Sequence, residues 1–163
     1  MSYSGNSETG ADARLTIERF FEYVAPKSPT LVVIGLGLWN ERVNQRGRKA
    51  VLSLLSGLLE LVGLCRAIGA HVVLGGVYPN QKYTEKEYKL LKETHSELQT
   101  WKRKFGVDVL DFLTNLDDGT GKWKEGLYSD FIHPNDIGHE LFFKNIDLSI
   151  FDNFRFKLSA PKL

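Results

Sequence analysis

A chain of 163 residues with 42% hydrophobic and 25% charged side chains has the length and composition of one globular domain with a core, which excludes disorder, collagen and coiled coil. Lys and Arg number 21 against 20 Asp and Glu, so the formal charge is +1 and no global field favours nucleic acid or an anionic membrane surface. The lone cysteine, Cys65, excludes an intramolecular disulfide and a cysteine-rich zinc site.

The first twenty residues are polar and acidic rather than a basic start followed by an apolar run. Apolar segments are broken by Gly, Ser or charge before they reach the length of a membrane span. The default expectation is a cytoplasmic chain without a membrane partner. That compartment stays open should an upstream segment with a signal peptide exist.

In chain order, residues 8–24 place Ala11, Leu15, Ile17, Phe20, Phe21 and Val24 on one stripe, which predicts an amphipathic helix. Pro26 and Pro29 end it. Residues 30–36 form a β-branched run without alternation, the pattern of a strand covered on both faces. A polar loop is expected over 37–47, then a helix over 49–68 closed by Gly69, and a second buried strand over 71–77. Thr84 with Glu87 makes a capping box for a helix running to about Phe105, where Gly106 stops it and a short strand begins at Val107. After an Asp- and Gly-rich loop at 117–126, Asn135 or Asp136 can cap a last helix through Phe143.

This order predicts a three-layer α/β/α domain with a parallel sheet over residues 1–146, followed by a tail over 147–163. Three strands are few for such a sheet, which therefore reads as truncated at its N-terminal side. The strand at 30–36 is then expected to keep one open edge, a site for homodimerisation unless the tail covers it. In the tail, Phe154, Phe156 and Leu158 alternate with Arg155 and Lys157, a half-buried strand pattern. Ligands of parallel sheets bind at the carboxyl ends of the strands, so the segments after Leu36, Val77 and Asp111 carry the search for function.

Asp130 and His133 lie three residues apart in a loop leading into a helix. That spacing lets the carboxylate take the Nδ1 proton, fix the tautomer and leave Nε2 as a base. Equally, the pair could be a surface Asp and His beside a helix start. In Gly35-Leu-Gly-Leu-Trp-Asn40-Glu41, at a strand end, the Asn40 amide could donate to an oxyanion or make ordinary turn hydrogen bonds. The Gly-rich segment Tyr3-Ser-Gly-Asn-Ser-Glu-Thr-Gly10 could offer backbone N–H groups to an anion, or be a plain N-terminus with Ser7 or Thr9 as helix cap. Trp39 and Tyr78 follow two strand ends and could line a pocket or simply pack. His71, His95 and His139 form no pair at metal-ligand spacing, so no metal site is expected.

Taken together, Ser4-Gly5-Asn6, Gly37-Leu-Trp-Asn40-Glu41 and Asp130-Phe-Ile-His133-Pro-Asn, continued by Gly138, resemble blocks of the SGNH/GDSL hydrolase superfamily of esterases, lipases and carbohydrate acetylesterases. The resemblance runs from Ser4 to about Ile146 and implies a flavodoxin-like sheet and acyl transfer on a small-molecule ester or acetylated carbohydrate, without a cofactor. It implies His133 as base, Asp130 as its orienting acid, and Gly5 N–H with Asn40 as oxyanion donors.

Two departures stand out. An extra residue separates Gly37 from Asn40, and Glu41 replaces the common Asp. The family's nucleophile, a Ser in a Gly-Asp-Ser motif after the first strand, has no counterpart. An alternative register reads Gly5-Asn6-Ser7 as that motif, with Ser7 as nucleophile, although only four residues precede it. The expectation for this polypeptide is weak or no esterase activity, with a non-catalytic carbohydrate-, acyl- or partner-binding module as the alternative.

Overall fold

The computed structural model describes residues 10–151. Ser4, Gly5, Asn6 and Ser7, and the alternating part of the tail, lie outside the described residues. The elements run α1 (Ala13–Glu18), α2 (Phe20–Tyr23), a 3-10 turn (Ala25–Lys27), β1 (Leu31–Ile34), α3 (Val43–Arg46) and α4 (Arg48–Ala67). They continue with β2 (His71–Gly75), α5 (Glu85–Gln99), α6 (Trp101–Phe105), β3 (Asp108–Leu110), α7 (Asp136–Lys144) and a 3-10 turn (Leu148–Phe151).

The strands form a parallel sheet in the order β1-β2-β3, the expected α/β arrangement. In register, Val33 faces Val73, Ile34 faces Leu74, and Leu74 faces Val109. Val32, Ile34, Val72, Leu74 and Val109 share one face by strand alternation and enter the main core with Leu54, Leu58 and Leu61 of α4 and Leu91 and Leu98 of α5. By length and composition α4 could cross a membrane, yet Val51, Leu54, Leu58, Leu61, Val62 and Cys65 line its buried side. Burial pushes the Cys65 thiol pKa up, as for an inert core thiol.

Local stop and start signals behave as their chemistry dictates. The chain leaves α4 through left-handed Gly69, with Ala70 N–H bonding back to Cys65 O at 3.0 Å. Thr84 and Glu87 close their capping box on α5, and left-handed Gly106 ends α6. The cap of α7 is Asn135, whose side chain accepts from Gly138 N–H at 3.0 Å.

Four expectations are corrected. The first helix breaks at Arg19, because Phe20 turns into the core while Phe21 stays 67% exposed, so the stripe is not continuous. The helix predicted over 84–105 breaks at Thr100, whose hydroxyl donates to Glu97 O at 2.7 Å and competes with the helical ladder. The polar loop at 37–47 contains α3, folded around buried Val43. The first strand is not covered on both faces: Val33 is 52% exposed beside fully buried Val73, and among the described residues no strand lies on β1's outer side.

Candidate active site

The loop before α7 is a tight antiparallel turn. Tyr128 bridges Pro134, Ser129 N–H donates to His133 O at 2.9 Å, and Asn135 N–H donates to Leu127 O at 3.0 Å. Asn135 also donates from Nδ2 to Gly126 O at 2.7 Å, tying both ends of the turn to one helix cap. Gly138 is obligatory for this geometry, since a Cβ there would sit 2.3 Å from Leu127 O and 2.8 Å from Pro134 Cβ. The turn is thus locked before either functional side chain is considered.

Within it, Asp130 Oδ1 accepts from Ile132 N–H at 2.7 Å and His133 N–H at 2.8 Å, which leaves Oδ2 facing His133 Nδ1 at 2.7 Å. The His133 contact and the two backbone N–H groups hold the Asp130 carboxyl down to about 2. An anionic acceptor on Nδ1 places the proton there and leaves Nε2 bare, which is what a general base requires. The two side chains are 49% and 68% exposed, so the imidazole is open to a substrate. Among the described residues, no serine hydroxyl hydrogen-bonds its Nε2.

Asn40 follows the end of β1 in a turn closed by its own N–H on Gly37 O at 3.2 Å. Its Nδ2 donates to Ala11 O at 3.0 Å, across 29 residues, so one of its two amide protons is engaged by the entry of α1. Glu41 is buried, at 1% exposure, and its Oε1 accepts from Ala13 N–H at 2.9 Å, while Arg46 Nη1 approaches Oε2 at 3.5 Å. Sequence reading singled out Glu41 only as a departure from the family pattern and missed this clamp. The signal was a carboxylate in a strand-end loop, without any hint that it turns inward.

The two aromatics predicted for the pocket pack on neighbouring loops. Trp39 sits edge-on to Tyr83 at 5.8 Å, and Tyr78 stacks on Trp123 at 6.2 Å. The Tyr78 phenol lies over Gly37, where a Cβ would be 2.2 Å from its oxygen, so the loops after β1 and β2 touch there. Burial raises both the Tyr78 and Tyr83 phenol pKa values, which keeps them neutral. Gln81 N–H donates to Phe131 O at 2.9 Å, and the Lys82 ammonium lies 4.8 Å from the Phe131 ring. These contacts join the loop after β2 to the one carrying Asp130 and His133.

A second small core of Leu116, Trp123 and Leu127, with Leu141 and Phe142 against it, takes in Tyr78 of the loop after β2 and leads through Leu127 into the Asp130–His133 turn. Among the described residues no group of three His, Cys, Asp or Glu is arranged to hold a metal ion. His139 packs edge-on to Phe142 at 6.1 Å. Gly5 and Ser7 are outside the described residues.

Solved structures share this architecture. A GDSL-like lipase from Bacteroides thetaiotaomicron VPI-5482 superposes with a TM-score of 0.73 at 18% identity, over 86% of this chain and 71% of that one. A protein from Bacteroides fragilis NCTC 9343 described as an acylhydrolase gives 0.71 at 19% identity, over 88% and 72%. An acetylxylan esterase from Geobacillus stearothermophilus gives 0.63 at 14% identity, over 83% and 66%. At these identities the likeness establishes the flavodoxin-like fold. A comparison with curated protein sequences finds no match. The family description "GDSL-like Lipase/Acylhydrolase family" matches residues 1–141, which takes in both the Asn40 loop and the Asp130–His133 turn. With most of its length inside that match, the chain belongs to the GDSL-like lipase/acylhydrolase family.

Proposed function

We propose that this domain carries an ester-hydrolase centre in which His133 is the general base, Asp130 orients it and Asn40 donates to the oxyanion. The observation that carries the reading is the 2.7 Å contact between Asp130 Oδ2 and His133 Nδ1, in a turn whose backbone N–H groups hold the same carboxylate. In this mechanism a hydroxyl attacks the ester carbonyl as His133 Nε2 takes its proton, and the tetrahedral oxyanion is met by Asn40 and Gly5 N–H. The alcohol then leaves with the proton from His133, and water reverses the sequence to release the acid.

The hydroxyl is not assigned among the described residues, and Ser7 is the candidate the sequence offers. The substrate we infer is a small-molecule ester. An acetylated carbohydrate is favoured because one structural relative is described as an acetylxylan esterase. We further infer that β1 pairs with a second copy of the chain through its open edge. Thr30 O accepts from His71 N–H, so by alternation the backbone groups of Leu31 and Val33 face outward.

The test is hydrolysis of p-nitrophenyl acetate by the purified chain, by His133→Ala and by Ser7→Ala. Weak turnover that drops to background in His133→Ala supports the reading. Loss in Ser7→Ala as well supports Ser7 as the nucleophile, whereas survival there removes Ser7 from that role. Equal rates for the parent chain and His133→Ala overturn the catalytic reading and leave the non-catalytic binding module.

A further inference from the structure

Immediately after Glu41, Arg42 adopts φ +58 and ψ +46, a left-handed conformation that a side chain with a Cβ disfavours. Such strain persists only where the surroundings over-determine it. Here the turn of the backbone at Arg42 accompanies the burial of Glu41. Its carboxylate reaches Ala13 N–H at 2.9 Å, an N–H in the first turn of α1 that no carbonyl of that helix satisfies. Two residues upstream, Ala11 O takes the Asn40 Nδ2 proton at 3.0 Å. Adjacent residues of one loop thus grip both sides of Asp12, which itself caps α1 by accepting from Leu15 N–H at 2.9 Å. Arg46, from α3, closes the arrangement by donating to Glu41 O at 3.3 Å as well as approaching Oε2.

An unrestrained Asn side chain rotates about its last bond and offers either amide proton in any direction. Pinning one proton on Ala11 fixes the amide plane and leaves the other for a ligand oxygen, provided the Ala11 carbonyl itself is held in place. Asn40 cannot supply that restraint alone. The Ala13–Glu41 bond does, and its length is matched to a glutamate.

We propose that Glu41 is a positioning residue for Asn40, holding the entry of α1 against the loop after β1 so that the Asn40 amide is presented in one orientation. The proposal rests on the assignment of Asn40 as oxyanion donor. It concerns a residue that touches no substrate.

The experiment is a double-mutant cycle with Glu41→Ala and Asn40→Ala, read by kcat and KM on p-nitrophenyl acetate and by the side-chain amide resonances of 15N-labelled protein. An oxyanion donor is worth roughly a hundredfold in kcat, so Asn40→Ala should lose about that factor. Glu41→Ala should lose about tenfold in kcat with KM within about twofold, and Glu41→Gln, which keeps an acceptor at the same reach, should recover most of it. In the Asn40→Ala background Glu41→Ala should cost nothing further.

The two Asn40 amide protons should be well separated in shift in the parent chain and move together in Glu41→Ala. An equal loss in both backgrounds, or an unmoved Asn40 resonance, overturns the proposal and assigns Glu41 to fold maintenance alone. Should Glu41→Ala fail to fold, Glu41→Asp, one methylene too short for Ala13 N–H, is expected to give the same signature, and its silence is the refutation. Absence of turnover in the parent chain counts against the hydrolase reading only, since the amide resonances then decide the role of Glu41.

Discussion

Replacing Gly138 by Ala sets two opposed effects against each other inside α7. The intrinsic preference of a helix interior favours Ala over Gly by about 1 kcal/mol. Against this, the new methyl would lie 2.3 Å from Leu127 O and 2.8 Å from Pro134 Cβ, one of them a backbone atom that no rotamer change can move aside. Overpacking of this kind costs about 1–3 kcal/mol, and separation of the helix from the turn also strains the Asn135–Leu127 hydrogen bond, worth about 1 kcal/mol. The net expectation is a loss of about 2 kcal/mol, or a Tm lower by about 4–8 °C for a domain of this size.

The control is Gly63→Ala in α4, where a Cβ meets nothing within 4 Å and the same helix preference acts alone. There Tm should rise by about 1–4 °C. Both are read by thermal unfolding followed by circular dichroism. Stabilisation of the Gly138→Ala chain, or equal shifts in the two variants, would refute the claim that close approach rather than propensity sets the glycine before His139.

The ionisation of Asp130 and the open sheet edge give two further expectations. The folded-state value of about 2 lies below the ordinary 3.8, so the Asp130–His133 contact is fully present above that ordinary value and is lost as pH falls through about 2. A 13C titration of the Asp130 carboxyl should have its midpoint near 2, and one near 4 would show that the carboxylate is not held by His133 and the two backbone N–H groups. Asp130→Asn, which cannot stabilise an imidazolium, should lower any His133-dependent kcat by about 10³-fold with little change in KM. At β1, Val33→Lys places a charge on the exposed edge and should convert a dimer to a monomer with stability within about 0.5 kcal/mol of the parent. Light scattering checks this, and a monomeric parent chain at tens of micromolar sinks the edge-pairing idea.

How much of this was legible in the sequence follows from the range of each interaction. The capping box at Thr84 and Glu87, the stops at Gly69 and Gly106, and the Asp130–His133 pair all lie within a few residues, and all are present. Alternatives at the level of one residue, such as Asn135 against Asp136 as cap, needed the structure. The break at Thr100 depends on which acceptor a hydroxyl chooses, which residue identity alone does not decide. Asn40 on Ala11 and Glu41 on Ala13 are 29 and 28 residues apart, and the inward turn of Glu41 accompanies a left-handed arginine where pattern rules expect Gly or Asn. The exposed face of β1 was misread because an apolar run reports what a strand can bury, not what lies upon it.

The division of the core bears on how such a site is held together. The main cluster joins the sheet to α4 and α5 and takes in Leu38, Trp39 and Val43 around Asn40, whereas the Asp130–His133 turn follows Leu127 of the separate Leu116–Trp123–Leu127 cluster. Tyr78 belongs to that second cluster and also closes over Gly37, so one phenol ties the Asn40 loop to the support of the Asp130–His133 turn. The backbone bond from Gln81 to Phe131 makes a second tie from the same loop after β2. The Asn40 loop and the Asp130–His133 turn are roughly ninety residues apart in sequence, yet the loop after β2 contacts both, through Tyr78 on Gly37 and Gln81 on Phe131, and this loop rather than the sheet alone sets the relative placement of the proposed oxyanion donor and base.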